Sequence, residues 1–132
     1  MHFRHLPTVE LQTLTWALQV MRRSEDASVM FDQGGYQTRL TYFHEWSVGT
    51  RAADGVLQLE YVYVPPDFRH REWFSRYCQM CQLLTHGAFV IKSPENPILL
   101  ALMERWDFER VAPDVWATFD GVARERPFPL NG

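Results

Sequence analysis

The sequence predicts one domain of the α/β (α+β) class over residues 1–132, with a mixed central β-sheet flanked by helices. A chain of 132 residues fits one domain and is large enough to bury a core of its own. Its hydrophobic fraction of 46% and charged fraction of 22% are typical of a globular protein, so we do not expect disorder. Segments with helical spacing alternate with runs of aromatic and β-branched residues, and this order favours a sheet with helices packed on it.

The first part of the chain predicts two helices. Thr8 can cap a first helix that runs to about Arg23, with apolar residues at helical spacing. These apolar residues are Leu11, Leu14, Leu18 and Met21. A short second helix is predicted over residues 24–32, with Ser24 as its N-cap.

Two strands are predicted next. Residues 36–47 are rich in aromatic and β-branched side chains, and residues 56–64 form a run of Val, Leu and Tyr with Glu60 as the single charge. A turn is predicted between them at residues 53–55, where Asp precedes Gly. Because residues 56–64 are almost wholly apolar, we expect a central strand covered on both faces.

The second half predicts two further helices and two strands. Apolar side chains at helical spacing from Trp73 indicate a helix that ends at residues 86–87. A short apolar strand is predicted at residues 88–92, a helix at residues 96–106 and a last strand at residues 111–119.

Charge and hydropathy exclude several classes of partner. The formal net charge of -3 gives no global field for nucleic acid, so DNA or RNA binding is disfavoured. No apolar run approaches the roughly 18 residues of a membrane span, and the N-terminus lacks the apolar region of a signal peptide. We therefore expect a cytoplasmic protein without membrane contact.

The two cysteines, Cys78 and Cys81, form a CxxC motif inside a predicted helix. No second cysteine pair and no close histidine pair completes a tetrahedral set of ligands in the sequence. The prediction is therefore buried, reduced thiols and no metal site.

Two segments of the second half resemble the GNAT superfamily of N-acetyltransferases. The segment PDFRHREWFS, residues 66–75, stands where that family has a Pro-containing turn and a loop of the form Arg/Gln-x-x-Gly-x-Gly/Ala at a helix N-terminus. The segment NPILLALMERWDF, residues 96–108, is similar to the family's helix that runs from Asn to Leu-Tyr-Glu-Lys-x-Gly-Phe. Together with the neighbouring strands, the resemblance covers residues 56–119.

The resemblance implies a GNAT-like domain that uses acetyl-CoA or coenzyme A as cofactor and an amine or a protein as acceptor. In the family, main-chain N–H groups at the helix N-terminus hold the pyrophosphate, which suits the partial positive charge there. The strand before the loop splays from its neighbour, a backbone N–H there holds the thioester carbonyl, and the amine attacks without a covalent enzyme intermediate. Carried over to this chain, the cofactor-binding residues would be Val62, Val64, Arg69, His70, Arg71, Glu72, Trp73, Phe74, Ser75 and Asn96.

Four positions depart from the family pattern. Glu72 and Phe74 replace the two glycines that let the backbone approach the phosphates, and both changes oppose phosphate binding. Met103 replaces the tyrosine that often protonates the leaving thiolate, and a thioether cannot donate a proton. Asp107 replaces the glycine that precedes the family's phenylalanine. A fold tolerates such changes better than a site does, because the apolar pattern alone specifies the packing.

Glu60 is the candidate catalytic residue. Burial within a strand would favour its protonated form and suit a general base, whereas the same side chain could instead point to the sheet edge and pair with an arginine. Tyr61 and Tyr63 share one face of this strand, and core packing is the favoured role for both. Asn96 is favoured as a helix N-cap over a ligand contact, and Met103 and Trp106 are predicted core residues. 

Two functions of different class remain open. The first is acyl transfer from acetyl-CoA to an amine, with Arg69, Arg71 and main-chain amides on the pyrophosphate and solvent or an unidentified residue as the acid. The second is a catalytically inactive GNAT-like protein that binds and modulates another protein through Trp46, Trp73 and Phe74. Small, eroded GNAT-like proteins occur in phage genomes, and the size of this chain fits that origin.

Overall fold

The computed structural model describes residues 8–66, 73–85, 87–92, 103–104, 106 and 108–119. Within these ranges the chain forms two helices and six strands, which confirms a mixed α+β domain. The helices are α1 (Val9–Arg23) and α2 (Trp73–Leu84). The strands are β1 (Ala27–Gln33), β2 (Tyr36–Val48), β3 (Arg51–Tyr63), β4 (Ala88–Lys92), β5 (Glu109–Ala112) and β6 (Val115–Phe119).

The six strands form one mixed sheet in the order β1-β2-β3-β4-β6-β5. β3 and β4 pair in parallel, and the other four described pairings are antiparallel. A parallel pair needs a crossover connection, since a tight turn can join only antiparallel strands. Helix α2 lies in that crossover, between the end of β3 and the start of β4.

Helix α1 begins and ends as the sequence predicts, but its buried face differs in part from the predicted one. Thr8 caps it by accepting a hydrogen bond from the Leu11 N–H at 3.2 Å. The buried residues are Val9, Thr13, Ala17 and Val20. Of the four apolar residues at helical spacing, Leu11 and Leu18 are 50% and 51% exposed, whereas Leu14 is half-buried and Met21 packs against the buried core. Thr13 is buried on the inward face, where a hydrogen bond with the Tyr77 hydroxyl satisfies its own hydroxyl.

The predicted second helix over residues 24–32 is wrong, because this segment contains strand β1. Ser24 is the C-cap of α1 and not an N-cap. Its backbone is left-handed, with φ 56°, and its N–H bonds to carbonyl oxygens of Val20 and Met21. This conformation ends the helix, and the chain then pairs antiparallel with β2 from Ala27 onward.

The turn between β2 and β3 lies at residues 49–50 and not at the predicted residues 53–55. Gly49 supplies the positive φ of 60° that the tight turn requires. Gly55 lies inside β3 with φ 74°, where the Gly87 N–H donates to its carbonyl at 3.1 Å. The glycine therefore marks a close approach of two backbones within the strand, a role that can mimic a turn signal in the sequence.

The later elements agree with the prediction in part. Helix α2 and strand β4 are confirmed, while the predicted strand over residues 111–119 is two strands, β5 and β6, joined by a turn at residues 113–114. Most of the predicted helix over residues 96–106 lies outside the described residues, although Met103 and Glu104 are helical.

Two groups of buried side chains lie on opposite faces of the sheet. The main core joins both helices to one face, and Met103 and Trp106, 0% and 7% exposed, belong to it as predicted. Its other buried members are Val9, Ala17, Val20, Phe31, Leu40, Tyr42, Leu57, Leu59, Tyr77, Cys78, Cys81, Phe89, Ile91, Phe108 and Trp116. The second cluster contains only strand residues: Trp46, Val56, Ala88, Val90, Val115 and Ala117. Neither α1 nor α2 is long and apolar enough to cross a membrane.

Candidate functional site

The described pairing of β3 with β4 stops before the end of β3, at the point where β4 meets residues outside the described ranges. The pairing runs from Val56 with Ala88 to Leu59 with Ile91. β3 then continues over residues 60–63, of which residues 61–63 pair with β2 on the other side. We call the place where the described β3–β4 pairing stops the β3–β4 junction. From it the chain passes through Pro65 and Pro66 toward α2.

A β-bulge lies at this junction. Arg39 of β2 pairs with Tyr61, while the next residue, Leu40, pairs with Leu59, so Glu60 is an extra residue in β3. A bulge of this kind leaves one residue unpaired and re-aims the side chains around it. In a regular strand Tyr61 would share the face of Leu59; here the extra residue shifts the alternation by one.

The bulge divides the predicted central strand into two parts. Residues 56–59 are all buried, so coverage on both faces is confirmed there. Beyond the bulge the prediction is wrong, because Tyr61 and Tyr63 are 45% and 36% exposed and are not core residues. Val62 is half-buried and packs against the main core, which places it on the opposite side of the strand from the two tyrosines.

An open depression of about 410 Å³ lies on the sheet face that points away from the helices. Its side chains come from the first three strands: Met30, Gln37, Arg39, Glu60 and Tyr61. The face follows from the alternation along β2, since Thr38 bonds to Tyr77 of α2 and Leu40 lies in the main core, while Arg39 between them points the other way. Sequence reasoning missed this site, because the pairing of three strands and the bulge create it.

Glu60 is half-buried, and its Oε2 accepts a hydrogen bond from Nε2 of Gln58 at 2.8 Å. It shares the depression with Arg39, but among the described residues these two side chains form no ion pair. The described ion pair joins Arg51 to Glu109 at 2.6 Å, elsewhere on the sheet. Glu60 thus lies beside an arginine at an open surface, and not in an enclosed apolar site.

The first turn of α2 holds three of the predicted cofactor-binding residues. Trp73 and Phe74 are half-buried and pack against the main core. The Trp73 ring stacks on Tyr77 with centroids 4.9 Å apart, and Phe74 stacks on Trp106 at 6.2 Å. These rings are directed into the domain, so they offer less surface to a protein partner than the sequence suggests. Ser75 is half-buried in the same turn.

Other predicted site residues divide between described and undescribed parts of the chain. Trp46 is 6% exposed, so its proposed role as a surface anchor is wrong; it packs in the second cluster. Val62 and Val64 lie at the end of β3 and just after it, both half-buried. Outside the described residues, and still predictions, are Arg69, His70, Arg71, Glu72 and Asn96.

The two cysteines are free thiols and fully buried in the main core, as predicted. Burial raises the pKa of the Cys81 thiol to about 12, and it raises the pKa of Cys78 well above its ordinary range. Such thiols stay protonated and are poor nucleophiles. Within the described ranges no three His, Cys, Asp or Glu side chains come together as metal ligands would.

Comparisons of the chain with models of protein families, with curated proteins and with solved structures found no match.

Proposed function

We propose that this protein has a GNAT-like fold and transfers an acyl group from acetyl-CoA to an amine in the cytoplasm. The observation that carries the proposal is the β3–β4 junction. There the described pairing of β3 with β4 stops at Leu59, and β3 leads through two prolines toward the helix that follows. The sequence resemblance implies a splayed strand followed by a turn and a helix in this same order.

The junction suits a thioester for a physical reason. Backbone N–H groups of a strand point alternately to its two sides. Beyond Leu59, the side of β3 that faced β4 has no described strand paired to it. An amide on that side, near Val62, can donate a hydrogen bond to a thioester carbonyl and stabilise the negative charge that develops on its oxygen.

The N-terminus of α2 is where the proposal places the pyrophosphate of the cofactor. A helix N-terminus favours a pyrophosphate, and α2, a helix of 12 residues, begins at Trp73 within the segment that resembles the family's loop. The Phe74 ring packs with Trp106 against the core, so its bulk is accommodated within the domain, and this weakens one of the two objections to phosphate binding. Arg69 and Arg71 would add charge, while Glu72 would oppose it.

The acid that protonates the leaving thiolate is not the family's tyrosine. Met103 is 0% exposed within the main core, so a structural role explains it. The proposal therefore assigns this proton to solvent or to a residue not yet identified.

Calorimetric titration with acetyl-CoA and, separately, coenzyme A tests the proposal. We expect micromolar binding that Arg69→Glu abolishes, while the exposed Arg22→Glu on α1 serves as the matched control. Glu72→Gly should tighten binding, and it is a cleaner change than Phe74→Gly because Phe74 also packs against the core. No heat from a folded protein, or equal effects of Arg69→Glu and Arg22→Glu, would refute the proposal.

The second candidate is a catalytically inactive GNAT-like protein that binds another protein. It is favoured by one observation, the exposed Met30, Tyr61 and Tyr63 on the sheet face away from the helices, because exposed aromatic and Met side chains often anchor interfaces. If coenzyme A does not bind, Tyr61→Ser should weaken binding to a purified partner without changing the fold, whereas Leu11→Ser on α1 should not.

A further inference from the structure

The depression on the sheet face carries two opposite charges, Arg39 and Glu60, that form no ion pair with each other within the described residues. We propose that it binds a small zwitterion, with the carboxylate of Glu60 on the ligand's ammonium group and the guanidinium of Arg39 on the ligand's carboxylate. The binding claim stands apart from acyl transfer. Only a further step rests on the proposed function: the ammonium gives one proton to Glu60, its nitrogen bonds to the acyl carbon as the C–S bond of the thioester breaks, and its second proton passes through solvent to the leaving thiolate.

Strand register brings the charges together. Met30 pairs with Arg39 across β1 and β2, and Arg39 pairs with Tyr61 across β2 and β3, so these three side chains form a row on one face. The extra residue of the bulge adds Glu60 beside Tyr61. Without the bulge, the row would contain one cation and no carboxylate from β3.

The two charges of the depression are available to a bridging ligand. Arg39 and Glu60 line the same depression, but within the described residues they form no ion pair with each other. The Glu60 carboxylate accepts a hydrogen bond from Gln58, which leaves its second oxygen for an ammonium group. A ligand with an ammonium and a carboxylate can satisfy both, and an arginine can hold a carboxylate with two parallel hydrogen bonds.

The remaining side chains suit the body of such a ligand. Met30 and Tyr61 are 49% and 45% exposed, so an apolar group can cover them and remove apolar surface from water. The Tyr61 hydroxyl donates to Oε1 of Gln37 at 3.5 Å, and Gln37 donates to Oδ2 of Asp32 at 3.1 Å. These contacts connect side chains of three neighbouring strands along the depression. The volume of about 410 Å³ lies in the range of small-molecule sites.

The site also meets the β3–β4 junction. Glu60 directly follows Leu59, the last residue of β3 in the described pairing with β4. Helix α2 packs on the opposite face of the sheet, in the main core. An amine held at Glu60 would therefore reach the junction from one face while a cofactor at α2 reached it from the other.

Three related probes test the binding claim without any thioester. Leucine carries both charges, leucinamide lacks the carboxylate, and 4-methylpentanoate lacks the ammonium. By calorimetric titration of the full chain, we expect leucine to bind at least about tenfold more tightly than either relative, which corresponds to about 1.4 kcal/mol. Equal affinity for the three, or no heat with leucine at millimolar concentration, would overturn the proposal.

Charge-removing variants assign each end of the ligand. Arg39→Gln should abolish the preference for leucine over leucinamide, and Glu60→Gln should abolish the preference for leucine over 4-methylpentanoate. Arg22→Gln and Glu25→Gln, at exposed positions outside the depression, should change neither. If both site variants keep both preferences, the ligand does not bridge these residues and the proposal fails.

A parallel titration with coenzyme A distinguishes failure of the zwitterion proposal from failure of the acyltransferase proposal. Coenzyme A binding without leucine binding would sink the zwitterion site and leave the acyltransferase proposal standing. Leucine binding without coenzyme A binding would do the reverse.

Discussion

The buried hydroxyl of Tyr77 ties both helices to the sheet, and its removal tests how they are held there. Tyr77 of α2 is 1% exposed, and its hydroxyl lies 2.8 Å from Oγ1 of Thr13 in α1. It also donates to Oγ1 of Thr38 in β2 at 3.2 Å. Tyr77→Phe keeps the ring and removes both hydrogen bonds, each worth about 0.5 to 1.5 kcal/mol net. We expect the free energy of unfolding to fall by about 1 to 3 kcal/mol.

Urea unfolding followed by tryptophan fluorescence measures this loss, and a mutant cycle shows its cause. Tyr77→Phe alone leaves the hydroxyls of Thr13 and Thr38 buried without that partner. Adding Thr13→Val and Thr38→Val removes these polar groups as well, so the triple variant should be more stable than the three single losses imply, by about 1 kcal/mol or more. Strict additivity, or a Tyr77→Phe loss below about 0.5 kcal/mol, would refute the reasoning.

Three further predictions concern stability. A Cβ at Gly87 would overlap the Asp54 carbonyl oxygen, so Gly87→Ala should lower the free energy of unfolding in urea by about 3 kcal/mol. As a control, Gly34→Ala, at φ 65° with open space around it, should lower it by only about 1 kcal/mol. The buried Cys78 and Cys81 thiols stay protonated in the folded state, whereas the thiols of the unfolded chain ionise near pH 9.0. Above that pH the unfolded state binds fewer protons than the folded state, so the free energy of unfolding should fall as pH rises from about 9 toward 12. The fall should be less steep in a Cys78→Ala/Cys81→Ala variant. Arg51→Ala breaks the ion pair with Glu109, whose side chains are 42% and 45% exposed. Calorimetry should therefore show a fall in the free energy of unfolding of less than about 1 kcal/mol, and the fall should be smaller in high salt. A fall that does not depend on salt would point instead to the contact of Arg51 with the Phe119 ring.

Local signals in the sequence located most of the described elements. The cap at Thr8, the helical spacing from Trp73 and the apolar run of β4 are short-range patterns, and each element starts where its pattern does. The errors arise where tertiary contacts decide. Thr13 is buried because Tyr77 lies opposite it, and no pattern within α1 shows this.

Strand β1 illustrates the same limit. Its acidic flank beside Ser24 is typical of a helix start, yet pairing with β2 determines its conformation. Likewise, the alternation of β3 predicts that Tyr61 is buried, and only the pairing of Arg39 and Leu40 with their partners shows the extra residue that turns it outward. The depression was therefore beyond sequence reasoning, although each of its residues is visible in the sequence.

The extra residue in β3 also determines where this strand can lose one residue without disturbing its packing. Loss of the codon for Glu60 would leave Leu59, Tyr61 and Val62 on the sides they occupy now, since a regular strand alternates in that order. Loss of a codon upstream, such as that of Leu57, would reverse the alternation of the residues that follow and turn the Glu60 side chain toward the core. We therefore expect strand β3 to tolerate a deletion of Glu60, which removes a carboxylate and keeps the packing. A gap at Glu60 in an alignment of homologues would identify relatives that have lost the carboxylate and kept the fold.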